Sequence, residues 1–366
     1  MILTYVRRLG VLTVAGALAV TGATVVTTGT AHAAADDVSA QWLAKQARTG
    51  LVHNDQYDFD DYGLTADVGI ALDRIGAQRA TVTKIRTKLA KNVKSWTTGV
   101  DFGTSDVYAG STAKAVVLAQ ATGASPRNFG GVNLVRQLSK RISTTSPTVG
   151  RLQDKAATDF ANTIGQALAV QGLSRAKHSK ADEAVKFLLK QQCSRGYFRL
   201  IFAPATTAAQ GCDAGSRAES APDPDATAVA LTSLQSLARP SAKVRRAITK
   251  GATWLARQQK ANGSFRGGPS TPTSNTNSTG LAAIALAEAG KCAAAKRAAR
   301  WVARLQVSGN VAGTPLAGEK GAIAYDRAAL RQAREAGITV ETRDQWRRAT
   351  TQAAPALALL SARGCR

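Results

Sequence analysis

The sequence predicts an all-α fold, an (α/α)6 toroid built from six degenerate helix-pair repeats. Three observations lead there. A short template recurs six times at intervals of about fifty residues. Each copy pairs an apolar, small-residue helix with a second helix whose apolar and basic positions alternate at a helical period. The first kind is apolar nearly all round, as expected of helices touched on several sides, and this favours a closed inner ring over an open solenoid.

The template is clearest in GLTADVGIALDRIG, GSTAKAVVLAQATG and NSTGLAAIALAEAG, where Thr65, Thr112 and Thr279 each stand eleven residues before Gly76, Gly123 and Gly290. The closing glycine suits a left-handed C-cap. DATAVALTSLQSLA fits with Thr227 and with Ala238 in the closing place, just before Pro240. DFANTIGQALAVQG ends at Gly172 and YDRAALRQAREAG at Gly337, both without the threonine. The closing positions are therefore spaced by 47, 49, 66, 52 and 47 residues, and the long interval holds a loop bounded by Cys193 and Cys212. The partner helices carry WLAKQ (42–46), FLLKQ (187–191), WLARQ (254–258) and WVARL (301–305), with looser copies at 89–96 and 134–142.

Residues 1–33 read as a secretory signal peptide: Arg7 and Arg8, an apolar stretch from Leu9 to Val26, then Ala31-His32-Ala33 as a small-x-small cleavage site. The remaining 34–366 read as a single repeat-built domain with ample length for a core. No later segment is long and apolar enough to span a bilayer. The expected localisation is secreted, extracellular and in association with the cell wall. The formal charge is +24, or +22 once Arg7 and Arg8 are removed. Such an excess favours anionic surroundings such as a cell-wall polymer. There is no zinc finger, RNP-like run or long basic tail, so nucleic acid is not an expected partner. Four cysteines in an exported chain suggest two disulfides, and Cys193–Cys212 with Cys292–Cys365 is the expected pairing of the three possible. No metal-ligand spacing is present, and neither a metal nor an organic cofactor is expected.

Parallel inner helices gather their N-termini at one mouth. Reading those starts gives Asp60, Asp61 and Tyr62; Asp106 and Tyr108; Asp159 and Phe160; Asp223 and Asp225; Asn275 and Asn277; Tyr325 and Asp326. Asp and Asn are preferred N-caps and suit the helix dipole, each contributing about 1 kcal/mol, so capping accounts for many of them. It does not account for the tyrosines, nor for His53, Tyr57 and Asp58 in HNDQYDFDDYGLTAD, where five acids crowd fifteen residues of a basic chain. A ring of Asp, Asn and Tyr fits a polar small-molecule or glycan site, where aromatics stack and side chains hydrogen-bond.

KGATWLARQQKANGSF (250–265) closely resembles the QW repeat of squalene-hopene cyclases and related terpenoid cyclases, and the repeats of protein prenyltransferase β subunits. PDPDATAVAL (222–231) looks like the acidic segment that opens an inner helix in the same superfamily. As a pattern of repeats the resemblance covers essentially the whole mature chain, and secreted actinobacterial proteins with prenyltransferase and squalene oxidase repeats look nearest. It implies the toroid. Transcobalamin-type binders share that fold without being enzymes, so activity does not follow from it.

The resemblance offers one acid. Asp58-Phe59-Asp60-Asp61 matches the DxDD string of terpenoid cyclases, which would make Asp60 the proton donor, a role requiring burial and neighbouring carboxylates to raise its pKa. The following YGLT departs from that family. The inner helices beyond their first turns lack the aromatics that stabilise carbocations, and the chain suffices for one toroid where those cyclases use two. The Asp-Cys-His zinc set of prenyltransferases has no match, since no cysteine lies on an inner helix. A hydrolase could use Asp60 or Asp61 with Asp225. His178, in the basic stretch RAKHSK, reads as solvated. The leading expectation is a non-catalytic scaffold holding a small molecule or glycan at the mouth. A cyclase-type or hydrolytic enzyme using Asp58–Asp61 is the alternative, and an adhesive envelope protein acting through its basic surface is the third.

Overall fold

The computed structural model describes residues 34–361 and Cys365. The proposed signal peptide lies outside them. In chain order the helices are α1 (Ala35–Gln46), α2 (Tyr62–Ile75), α3 (Arg79–Lys91), the short α4 (Val93–Thr97), α5 (Ala109–Ala121), α6 (Leu134–Ser139), α7 (Thr163–Arg175) and α8 (Ala181–Lys190). There follow α9 (Pro224–Gln235), α10 (Ala242–Arg257), α11 (Thr276–Glu288), α12 (Cys292–Ala303), α13 (Arg327–Ala336) and α14 (Val340–Leu357). Two antiparallel hairpins add β1 (His53–Asn54) with β2 (Phe59–Asp60), and β3 (Phe265–Arg266) with β4 (Ser274–Asn275). The fold is an all-α toroid. An inner ring runs α2, α5, α7, α9, α11, α14 and back to α2, each helix packed on the next. Outside stand α3, α6, α8, α10, α12 and α1, the six expected from the partner-helix segments. The core lies between the two rings, and alanines such as Ala66, Ala113, Ala169, Ala228, Ala283 and Ala353 are fully or nearly fully buried there.

One contact explains the recurring threonine. Its hydroxyl, in the first turns of an inner helix, accepts the backbone N–H of the segment entering that repeat: Val52 to Thr65, Phe198 to Thr227 and Phe265 to Thr279, each at 2.9 Å. A second contact stitches neighbours together. Gln192 and Gln259 each donate from Nε2 to a carbonyl of the next outer helix, Ala247 and Ala294, both at 2.9 Å. In the last repeat Gln306 does the same to Ala35 of α1 at 2.6 Å. Ser39 donates to the Gly321 carbonyl at 2.7 Å, and Gly321 (φ +97°) sits so close that a Cβ there would lie 2.3 Å from the Val38 carbonyl oxygen. Helix α1, first in sequence, thus serves as the outer helix of the sixth inner one.

The same contact corrects two registers. In the third repeat Gln166 takes the threonine's place, accepting the Leu152 N–H at 2.7 Å. Counting eleven onward gives Lys177, which adopts the left-handed conformation (φ 51°). Gly172 is therefore not the closing residue. It lies inside α7, where a Cβ would come 2.7 Å from Val116 of α5, so it is small for close helix approach. In the sixth repeat Thr350 accepts the Ile323 N–H at 2.8 Å, so the inner helix is α14 and not the segment from Tyr325 to Gly337. That segment is α13, an insertion with Leu330 and Ala333 buried and its arginines exposed. The template missed α14 because its helix starts seven residues before the equivalent point and carries TRDQWRR there.

Both expected disulfides, Cys193–Cys212 and Cys292–Cys365, are formed. The first anchors the long loop before α9. Within that loop Arg199 is fully buried, donating to Gln191 at 2.9 Å and to the Gln210 carbonyl at 3.0 Å. Among the described residues no helix is long and apolar enough to cross a membrane.

Candidate functional site

The inner helices expose one stripe each to the lumen. At N2 and N6, one turn apart, stand Gly63 and Asp67, Gly110 and Lys114, Ile164 and Leu168, Asp225 and Val229, and Asn277 and Leu281, and at the equivalent register of the earlier-starting α14 stand Arg348 and Gln352. All are half-buried while most of the positions between them are buried, as a helical stripe facing a narrow channel requires. The uppermost layer is mixed. Gly63 and Gly110 leave space on one side, Asp225 and Asn277 stand on the other, and Arg348 lies between. Below the first turns the lumen faces are aliphatic or polar, without an aromatic.

The glycines open a recess of about 340 Å³ between α2, α5 and α7. Tyr108, Phe160, Trp96, Lys114, Asp154 and Asn162 line it. Lys114 pairs across to Asp67 at 2.9 Å. Asp154 is held in place, accepting the N–H groups of Ala109 at 2.6 Å and Phe160 at 3.0 Å. Around the mouth Tyr57, Phe59, Phe102 and Phe160 expose much of their surface, Phe102 and Phe160 to 77%. At the far end the Arg74–Glu288 pair links α2 to α11 across the intervening α14.

Asp225 differs from the other lumen carboxylates. Asp67 and Glu288 have cationic partners, whereas Asp225 takes part in no salt bridge among the described residues. Its Oδ1 and the Oδ1 of Asn277, on the adjacent helix, are buried without a hydrogen-bond partner. Burial pushes the Asp225 carboxyl up to about 6, with the Asp223 charge adding to the rise and the Ser278 hydroxyl opposing it. Tyr325 stands near enough for the Asp225 and Asp326 charges to add to burial in raising its phenol.

The other expected residues divide into three groups. Asp61, Asp223, Asn275 and Asp326 are N-caps, accepting from Leu64, Ala226, Ser278 and Ala329 at 2.7 to 2.8 Å. Asp61 also binds Arg348 at 2.5 Å. His53, Tyr57, Asp58 and Asp60 belong to the exposed β1–β2 hairpin. There the imidazole bridges Asp60 (3.1 Å) and Asp58 (3.3 Å), and the hydrogen bond to Asp60 raises the His53 pKa. The burial that a proton-donating carboxylate needs is found around Asp225 and not around Asp60. Tyr62 is half-buried beside the hairpin, and burial followed by the Asp60 charge raises its phenol. Asp106 sits in the loop before α5, with its carbonyl accepting the Gly99 N–H. Asp159 pairs with the buried Arg151 at 3.0 Å and orders its own turn. Sequence reasoning missed Arg347 and Arg348. Arg347, almost fully buried, ties α14 to Gln46 and Asp55, each at 3.0 Å. The signal that could have found them is Thr350, which sets the register of α14.

No family model and no curated protein matches this chain. Solved structures do. A protein from Actinoplanes aligns at TM-score 0.58 with 17% identity, covering 88% of this chain and 98% of that one. The type II terpene cyclase MstE from Scytonema, in its apo form, aligns at 0.59 with 15% identity over 88% and 97%, so the expectation that such cyclases need two toroids does not hold for this one. An unsaturated glucuronyl hydrolase from Bacillus sp. GL1, described as responsible for the degradation of glycosaminoglycan, aligns at 0.58 with 12% identity over 90% and 95%. At such identities the shared property is the α/α-toroid fold.

Proposed function

We propose that the mouth of the toroid binds a small polyhydroxylated molecule, a glycan fragment or free sugar, in an exported protein. One observation carries the reading: two buried acceptor oxygens, Asp225 Oδ1 and Asn277 Oδ1, stand on adjacent lumen faces without a hydrogen-bond partner, with the Ser278 hydroxyl beside the Asp225 carboxyl. Leaving such groups unpaired costs about 1–3 kcal/mol each, and vicinal hydroxyls of a sugar would supply both donors. The exposed rings of Phe102, Phe160 and Tyr57 at the rim suit stacking on a sugar face. Two disulfides and the lack of a membrane-spanning helix among the described residues fit an extracellular setting.

A second reading makes the protein a glycan-active hydrolase. It rests on the Asp225 carboxyl at about 6, protonated in mildly acidic medium and able to donate to a leaving oxygen. A terpenoid-cyclase reading has less support, because carbocations are stabilised by aromatic faces and the lumen below the first turns has none.

Saturation-transfer NMR with uronic acids, N-acetylhexosamines and short oligosaccharides of each, on the processed chain, tests the proposal. The Asn277→Ala variant should weaken the best ligand at least tenfold, and Asp225→Asn likewise. No contact from any probe at millimolar concentration, or binding indifferent to both changes, would overturn it. Cleavage that titrates near pH 6 and vanishes in Asp225→Asn would establish the hydrolase.

A further inference from the structure

We infer that the outer face of α10 is a binding groove for a linear phosphodiester polymer of a small polyol, independent of the mouth. The groove has a volume of about 710 Å³, and five cations line it: Arg195, Arg245, Arg246, Lys250 and Arg257. All five are exposed, no carboxylate lines the groove, and none of the salt bridges among the described residues engages any of them. Trp254, packed on Tyr197 at 5.2 Å, forms an apolar floor.

The arrangement is linear. Arg246, Lys250 and Arg257 follow one stripe of α10, separated by roughly 6 and 10 Å at 1.5 Å rise per residue. Thr253 and Thr249, the latter also donating to the Arg245 carbonyl at 3.1 Å, stand between them, and Arg195 joins from the loop that follows α8. Charges repeating along a line, with hydrogen-bonding groups between, match a chain of phosphates joined by hydroxylated carbons. Arginine's planar fork fits phosphate oxygens in pairs. A duplex nucleic acid is far wider than this single-helix groove, and the two disulfides fit an oxidising compartment, where such a duplex is not the expected anion.

The experiment measures binding of a synthetic glycerol-phosphate oligomer to the processed chain across a salt series. The wild type should show a log–log salt slope of about −3, from roughly 0.7 per neutralised phosphate over most of five contacts. The triple variant Arg246→Glu, Lys250→Glu, Arg257→Glu should bind at least thirtyfold more weakly with a shallower slope. The neutral triple Arg246→Gln, Lys250→Gln, Arg257→Gln should lose about tenfold, which guards against a folding defect in the reversal. Lys84→Glu, Lys88→Glu, Lys91→Glu on α3 makes the same net charge change on another outer helix and should cost less than threefold. Equal losses in the α3 and α10 reversals would reduce the effect to net charge and overturn the proposal. So would tighter binding of duplex DNA or of a polyuronate than of the phosphate oligomer.

Discussion

Asp225 makes the lumen mouth sensitive to pH in a direction that can be worked out. Its pKa is raised from 3.8 to about 6 in the folded protein, so between those values the folded state holds the proton more tightly than the unfolded one. Stability contributed by this group therefore falls as pH rises through that window, and above about pH 6 the ionised, buried carboxylate opposes folding. The full shift corresponds to about 3 kcal/mol, and partial solvent access reduces it to roughly 1–2 kcal/mol. The Asp225→Asn variant should accordingly be more stable than wild type by that amount at pH 8 and no more stable at pH 4, as read from urea unfolding at both. A variant stabilised equally at both pH values would show that burial is not the cause. A residue that lowers stability at neutral pH while its oxygen goes unpaired fits a group kept for binding or chemistry.

At the scale of the helix pair, the repeat is held by a few hydrogen bonds to backbone. Gln306→Leu removes the amide that reaches Ala35 and Ser39. It leaves buried acceptors behind and should cost about 1–3 kcal/mol in chemical denaturation. Gly321→Ala combines a left-handed backbone with a clash against Val38 and should cost about 2–4 kcal/mol. Such bonds also decide how much of the fold was legible. Thr65, Thr112, Thr227 and Thr279 stand at fixed distances from their caps, so the template was visible there, although Thr112 accepts from the Gln137 side chain at 3.1 Å where the other three accept a backbone N–H. Glutamine reaches the same backbone N–H with a longer side chain, so Gln166 was invisible to a threonine pattern. The capping acids were legible because capping is local. Asp225 could be identified as a candidate, but its isolation from cations depends on where Lys114, Arg74 and Arg348 find partners, which spacing along a chain does not convey. The exposed position of Asp58 and Asp60 followed from a hairpin too short to leave a hydrophobic pattern.

For the whole molecule, the Cys292–Cys365 link closes a loop of 73 residues and fastens the C-terminal segment to α12. A cross-link of that span contributes about 2–4 kcal/mol, chiefly by restricting the unfolded chain. The Cys292→Ala, Cys365→Ala double variant should lose about that much unfolding free energy in urea while the lumen pairs, reported by sugar binding, stay in place. Removing Cys193 and Cys212 should instead loosen the loop ahead of α9 and weaken whatever Asp225 holds. The positive charge of the outer ring is carried mainly by α3, α10 and α12, so a groove like that on α10 shows as a local feature only against matched changes on another basic helix.

The contact between Ser39 and Gly321 joins residues 282 apart in sequence. Among the described helices α1 is made first, while its partners Gln306, Gly321 and α14 follow the other five inner helices. No sub-chain lacking residues 306–357 can satisfy it, so α1 remains without its seat until that segment has been made. The ring cannot shut before α14 is present to receive α1. On the export proposed above, that delay would keep the polypeptide in a form that a translocation channel can accept, with closure as the last step.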